Sequence, residues 1–326
     1  MNRLFRDVEC GPGNPHGSVV CIGAFDGLHL GHQALVRHAV ARARALSAPG
    51  APVESVVLSF EPLPREYFAG GSPPPRLLLP RAKIEGLFAL GADRIGLLRF
   101  DAALSALGPE EFVLRVLVGR LGAREVWVGP GFRFGKGRSG DLSVLQKLGA
   151  QLQGSGRGFA AGEIEPVLLD GEPVSSTRVR AALQAGDFSQ AERLLGRPYA
   201  IGGRVVLGRQ LGRTLGIPTA NIRLAGKKPA LSGIYAARVH GVGTAPHPAV
   251  ASLGTRPTVD GVEPLLEAHL LDFDGDLYGC RLQVEFVAKL RDEVRFPDLA
   301  SLTEQMHRDA EQARALLMQQ QRRASA

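Results

Sequence analysis

The sequence predicts an α/β domain built on a doubly wound parallel sheet, followed by an all-β domain that ends in one helix. Three observations lead there. From Ser18 to about Gln184, short β-rich runs alternate with amphipathic segments, the pattern of βαβ units. After about Gln184, glycine and proline punctuate short strands without long helices between them. From about Leu299 to Gln320 the charged periphery of a surface helix follows. With 326 residues the chain can bury two cores, and no internal repeat cuts across this division.

In the first half the strand candidates are SVVCIG, VESVVLSF, DRIGLLRF and AREVWVG. Between them stand the helix candidates GHQALVRHAVARARAL, PRAKIEGLFAL and GPEEFVLRVLVGRL, the last with Glu110 and Glu111 in its first turn as the helix dipole favours. Right-handed crossovers make this an open Rossmann-like sheet, whose ligands bind outside the carboxyl ends of the strands. The proline-rich GGSPPPR, from Gly70 to Arg76, reads as an irregular loop. The domain boundary is expected in DFSQAERLLGRPYAIGG, giving residues 1–186 and 187–326. Beyond it GGRVVLG, GIYAARVH, PAVASLG, LLEAHLLDF and RLQVEFVAKL read as the strands of an antiparallel barrel or sandwich.

A net charge of +7 and a pI near 9.7 suit an anionic partner. Basic residues never exceed two in succession, as in Lys227-Lys228, and aromatic residues are sparse, so a nucleic-acid partner is not expected and nucleotide phosphates are. No stretch approaches the roughly 18 apolar residues of a membrane span, and MNRLFRDVECGPGNP lacks the apolar segment of a signal peptide. A cytoplasmic protein with no membrane partner is the expectation. Cys10, Cys21 and Cys280 are widely spaced, which points to reduced thiols rather than a disulfide framework or zinc site.

The strongest local signal is Gly23-Ala24-Phe25-Asp26-Gly27-Leu28-His29-Leu30-Gly31-His32, which follows one strand and leads into a helix. Gly23, Gly27 and Gly31 allow the backbone close to a phosphate, the helix N-terminus offers free N–H groups, and the histidines at i and i+3 share a face. An HxxH pair alone is more often surface decoration or a fragment of a metal site; the preceding strand and the glycines reverse that reading. Gly135 to Gly140 matches GxGxxG formally but follows a turn, and Gly131 to Lys136 has the wrong spacing for a Walker A loop.

A second constellation runs from Gly208 to Asn221. Glycine turns, among them Gly208 and Gly216, then a rigid Pro218 and the short polar Thr219 and Asn221 can wrap a triphosphate and ligate a hard cation through oxygen. In an extended segment Thr219 and Asn221 point the same way. In isolation the segment is equally an Asx or Thr turn. Glu267 sits mid-strand between apolar residues, where a carboxylate needs a function or an ion pair, for instance with Arg256.

The decapeptide resembles the GxFDGxHxGH signature of the flavin-adenylating nucleotidyltransferases. Val174-Ser175-Ser176-Thr177-Arg178-Val179-Arg180 looks like their SSTxxR element, Gly129 to Gly135 like their VGxDFxFG turn, and Phe60-Glu61-Pro62 like their FDPHP loop. From Arg197 to Asp309, GRPY, GRTLGIPTAN, SLGTRPT, LLEAHLLDFDGDLYG and LRDEVRF resemble riboflavin kinase in order. The resemblance implies a nucleotidyltransferase domain that adenylylates FMN to FAD with release of pyrophosphate. It also implies a six-stranded antiparallel barrel that phosphorylates riboflavin to FMN, with ATP and Mg2+ serving both.

On that basis His29, His32 and Arg180 hold ATP phosphates and the developing charge, with Phe25, Asp26, Ser175, Ser176 and Thr177 around the nucleotide. Thr219 and Asn221 hold Mg-ATP, and Glu267 is the base. Phe60 and Pro62 contact flavin, and Arg291 and Asp292, with Asp272, order loops over it. Gly131 stands where the family has Asp or Asn, Leu63 where it often has His, and Ser252 where it commonly has Asn. The first two define the alternative expectation, a kinase with a weakened or altered adenylyltransferase half.

Overall fold

The computed structural model describes residues 3–7, 15–70, 73–208, 212, 215–258 and 261–324. Cys10 and, from the second constellation, Arg209, Gln210, Leu211, Arg213 and Thr214 lie outside them, as does the side chain of Arg256. The chain divides into two compact units, residues 1–74 with 80–175, and residues 75–79 with 176–326.

The first unit begins with β1 (Leu4–Phe5), β2 (Ser18–Ile22), α1 (Leu30–Leu46), β3 (Glu54–Glu61), α2 (Pro64–Tyr67), α3 (Pro80–Ala89) and β4 (Arg94–Arg99). It continues with α4 (Ala102–Ala106), α5 (Pro109–Phe112), β5 (Ala123–Val128), α6 (Leu142–Gln151), β6 (Ala160–Glu163), β7 (Leu168–Leu169) and β8 (Glu172–Pro173). The parallel sheet has the order β1-β4-β3-β2-β5-β6. Every residue of β2 is buried, as expected of a central parallel strand covered on both faces. Val20, Leu58 and Val126 share a core with Phe112, Val116, Leu117 and Leu145 from the helices over one face. The stretch GPEEFVLRVLVGRL is helical, but after α5 it continues as a π-helix, Val113–Arg120. Strand order reverses between β2 and β5, so the crevice at their carboxyl ends is the topological switch point where such sheets bind ligands.

The second unit holds α7 (Ser176–Gln184), α8 (Phe188–Leu195), β9 (Ala200–Val206), β10 (Ala220–Ile222), β11 (Gly233–His240), β12 (His247–Thr258), β13 (Gly261–Leu270), β14 (Arg281–Arg291) and α9 (Leu299–Ala324). The segment read as a boundary thus contains a helix, α8, whose N-cap is Asp187. The strands form a closed antiparallel barrel in the order β10-β13-β12-β11-β14-β9, which decides between barrel and sandwich. Closure removes every sheet edge. Helix α9 lies on the barrel wall through Ala313 and Leu317 against Ala236.

Candidate functional site

In the first unit the loop after β2 is built around left-handed backbone. Phe25 has φ 50°, Gly27 φ 92° and Leu28 φ 48°. The Phe25 ring folds back so closely that a Cβ on Gly23 would meet it at 3.1 Å. Asp26 is only 1% exposed. His29 caps α1, its Nδ1 accepting from the His32 N–H at 3.4 Å, and the two imidazoles stack with centroids 3.6 Å apart. Phe25 packs beside His32 with centroids 5.3 Å apart. His32 Nδ1 is buried and has no hydrogen-bond partner among the described residues, an atom left for a ligand to satisfy. Gly31 is needed for the stack, since a Cβ there would press on the His29 ring at 3.3 Å and approach the Val174 carbonyl at 3.6 Å. Val174 immediately precedes the SSTxxR element.

Burial pushes His29 down to about 4. His32 is held well below the usual imidazole value by burial, then by His29, Lys83 and Arg65. Both rings are therefore neutral at pH 7 and serve as hydrogen-bonding groups rather than cations. The unfolded chain binds a proton at His29 that the folded chain refuses, so stability should fall as pH drops from 6.5 toward about 4. The His29 share is about 3 kcal/mol when complete. Urea unfolding between pH 7.5 and 4.5, wild type against His29→Asn, checks it: the variant should lose less stability across that range.

Next to this loop is an apolar cavity of about 510 Å³, walled by Phe60, Phe68, Phe100, Phe132 and Phe134. Arg65, Arg133 and Arg138 bring positive charge to its rim. Pro62 follows a cis peptide and leads into α2, capped by the buried Leu63. Phe68, Phe100 and Arg65 were not singled out from the sequence. Phe100 carried a signal nonetheless, because it ends a strand of the doubly wound sheet.

Ser175 belongs to the first unit, whereas Ser176, Thr177 and Arg180 start α7 in the second. Arg180 is buried; its Nε donates to the Pro75 carbonyl at 2.8 Å and Nη1 to the Ser176 carbonyl at 3.2 Å. These bonds tie the start of α7 to the 75–79 segment.

In the second unit a cavity of about 310 Å³ is lined by Thr219, Asn221, Ser252, Glu267, Arg291 and Asp309 among others. Barrel register produces the cluster, since Glu267 on β13 is paired with Asn221 on β10 and with Ser252 on β12. Thr219 Oγ1 donates to Glu267 Oε1 at 3.4 Å. Glu267 is half-buried, so its carboxyl group keeps access to solvent or substrate while accepting from Thr219. A Cβ on Gly208 would meet the Asn221 amide at 2.4 Å, and Gly216 turns with φ 75°. His269 Nδ1 donates to the Pro218 carbonyl at 2.8 Å, fastening the turn to the strand that carries Glu267. A neighbouring cavity of about 250 Å³ is lined by Pro218, Thr219, Phe273, Asp274 and Tyr278, so Thr219 stands at the junction of the two.

Helix α9 supplies Leu302, Met306 and Asp309 to the larger cavity. Asp309, 3% exposed, takes a forked bond from Arg291, with Nη2–Oδ2 at 2.7 Å and Nε–Oδ1 at 3.0 Å. Asp292, in contrast, is exposed and paired with Lys289 rather than lining the cavity. Asp272 holds Arg314 of α9. Asp309 and His269 were missed from sequence because neither lies in a glycine-rich turn.

The family model for FAD synthetase matches residues 12–178, and that for riboflavin kinase matches residues 195–317. A bifunctional riboflavin kinase/FMN adenylyltransferase of Pseudomonas fluorescens is 46% identical over 302 residues, 92% of this chain and 93% of that protein. The chain belongs to the bifunctional riboflavin kinase/FMN adenylyltransferase family. Its member from Escherichia coli K12 is 43% identical over 298 residues, 91% of this chain and 92% of that protein. A crystal structure titled as a macrolide-efflux protein from Streptococcus pneumoniae superposes with TM-score 0.71 at 29% identity, covering 95% of this chain and 98% of that one. Among the described residues of this family member no helix is long and apolar enough to cross a membrane.

One departure from the bifunctional family's motifs, Gly131, fits its backbone. Gly131 is exposed at φ 69° with open space around it, the left-handed region that Gly, Asn and Asp favour. The substitution keeps the backbone of the turn and removes one polar side chain.

Proposed function

We propose that the second unit phosphorylates riboflavin to FMN and the first adenylylates FMN to FAD, with ATP as donor in both steps. The functional division is placed near residue 186. One observation carries the reading: in each unit a glycine-containing turn adjoins a cavity, of about 510 Å³ beside the imidazole pair and about 310 Å³ beside Glu267. A flavin has the tricyclic apolar body that such cavities take. ATP use at both steps favours a cytoplasmic setting.

In the kinase step Glu267 accepts the proton of the riboflavin 5'-hydroxyl as that oxygen attacks the γ-phosphorus of ATP and ADP departs. Thr219 and Asn221 offer side-chain oxygen to the same cavity, a donor set that suits Mg2+ held mainly by substrate phosphates. When bound, Mg2+ supplies charge neutralisation on the transferring phosphate. Thr219, which lines both cavities, orients the carboxylate toward the nucleotide side. Arg291, held by Asp309, closes the flavin side.

In the adenylyl step an FMN phosphate oxygen attacks the α-phosphorus of ATP and pyrophosphate leaves. His29 and His32 donate hydrogen bonds to the phosphates as charge builds, aided by the α1 N-terminus and Ser175. Within the second unit, the bonds from Arg180 to the Pro75 and Ser176 carbonyls order the start of α7. Phe60 and Pro62 belong to the flavin wall.

The test is one incubation of the purified chain with riboflavin, ATP and Mg2+. FMN should appear first and FAD after it, with pyrophosphate released in step with FAD. FMN accumulating without FAD would instead favour the weakened adenylyltransferase reading that Gly131 and Leu63 motivate.

A further inference from the structure

Lys83, on α3, is 0% exposed, a depth at which lysine is almost never found without a dedicated partner. Its Nζ donates to the Ala24 carbonyl at 2.9 Å and to Ser59 Oγ at 3.4 Å, and Ser59 Oγ itself donates to the Ala24 carbonyl at 3.2 Å. That carbonyl belongs to the peptide that enters Phe25, whose φ of 50° is strained for a bulky residue. Strained backbone persists only where the surroundings over-determine it. Phe25 then packs its ring beside His32, which stacks on His29. One turn along α3, Gly86 lies so close to Leu28, the second bulky left-handed residue, that a Cβ there would meet Leu28 Cδ1 at 2.5 Å. Two residues on one face of α3 thus support both ends of the loop.

We propose that Lys83 is a positioning residue of adenylyl transfer: through Ala24 and Phe25 it fixes the stacked imidazoles, and its charge supplies positive potential beneath the phosphate site. The proposal rests on the FMN-adenylylating reading of the first unit. It assigns α3 a part in the chemistry although Lys83 is fully buried. The charged and titratable groups acting on His32 are His29 from its own segment, Lys83 from α3 and Arg65 from α2, after burial itself. Asp26 lies in the same loop. Removing the Lys83 ammonium lets the His32 imidazole rise toward its ordinary value, so the acid limb of kcat/KM against pH should move to higher pH.

The experiment compares wild type, Lys83→Met and Gly86→Ala in the full chain, with thermal unfolding as the measure of folding and riboflavin phosphorylation as the internal measure of intact chain. Lys83→Met should lower kcat for FAD formation from FMN by roughly 10²-fold, the scale of a small misplacement. It should also move the acid limb upward, with FMN formation within about twofold of wild type, a margin well below that loss. Gly86→Ala should slow FAD formation without moving the limb, because the charge remains. A folded Lys83→Met with unchanged FAD formation and an unchanged limb overturns the proposal while leaving the function standing. Wild type that makes no FAD sinks the function itself. Should Lys83→Met fail to fold, Lys83→Gln decides: it removes the charge and keeps a side-chain amide donor, and wild-type FAD formation with an unmoved acid limb overturns the proposal.

Discussion

Glu267→Gln should abolish FMN formation, lowering kcat for riboflavin phosphorylation by about 10³-fold, while FAD formation from supplied FMN persists. Gln keeps the shape and leaves an oxygen to accept from Thr219, so the bond at 3.4 Å survives and the cavity is undisturbed. What disappears is the capacity to take a proton. The KM for riboflavin should change little, because the lost interaction develops only as the hydroxyl attacks. Steady-state assays of both steps on one preparation settle it. If Glu267→Gln stops both activities in a folded chain, the two sites are not separate.

The second large effect is at the imidazole pair. His29→Ala and His32→Ala should each cost roughly 10²- to 10³-fold in kcat for FAD formation, the usual loss when one donor to a developing oxyanion is removed. Riboflavin should still be consumed, so FMN accumulates. The double variant should cost less than the product of the two single effects, since stacked rings act as a unit. His29 has a second duty as the cap of α1, and its loss costs about 1 kcal/mol of stability. His29→Asn separates the roles, because Asn restores the capping acceptor without the imidazole. Product chromatography with thermal unfolding distinguishes them: His29→Asn should unfold near wild type yet remain poor at making FAD.

Much of this is legible in the sequence. Alternation of apolar runs and amphipathic segments marked β2 to β5 and α1, α3 and α5, and the loop after β2 announced itself through glycines and histidines. Signals with no local composition were lost. Strand β6, AAGE, carries no apolar run, and α8 falls in the segment taken as a boundary, so only tertiary packing reveals them. Lys83 looked like any lysine of an amphipathic helix until the helix was laid against the loop. Asp309 is one acid among many on α9, and only the turn of the helix carries it to Arg291. Glu267 was visible as a carboxylate out of place in an apolar strand; its partner Thr219 was visible as well, but not the bond between them.

The barrel closes by pairing β14 with β9, so residue 285 meets residue 200. Pairings so distant in sequence form slowly, because much of the loop-closure entropy is spent before any contact rewards it. The parallel sheet has pairings at least as distant, Ile22 with Val128 among them, but it needs nothing beyond Glu163 to complete its order. During synthesis, then, the adenylylating half can reach its native state while the ribosome is still making the kinase strands. The activity that comes first in metabolism is acquired last by the nascent chain.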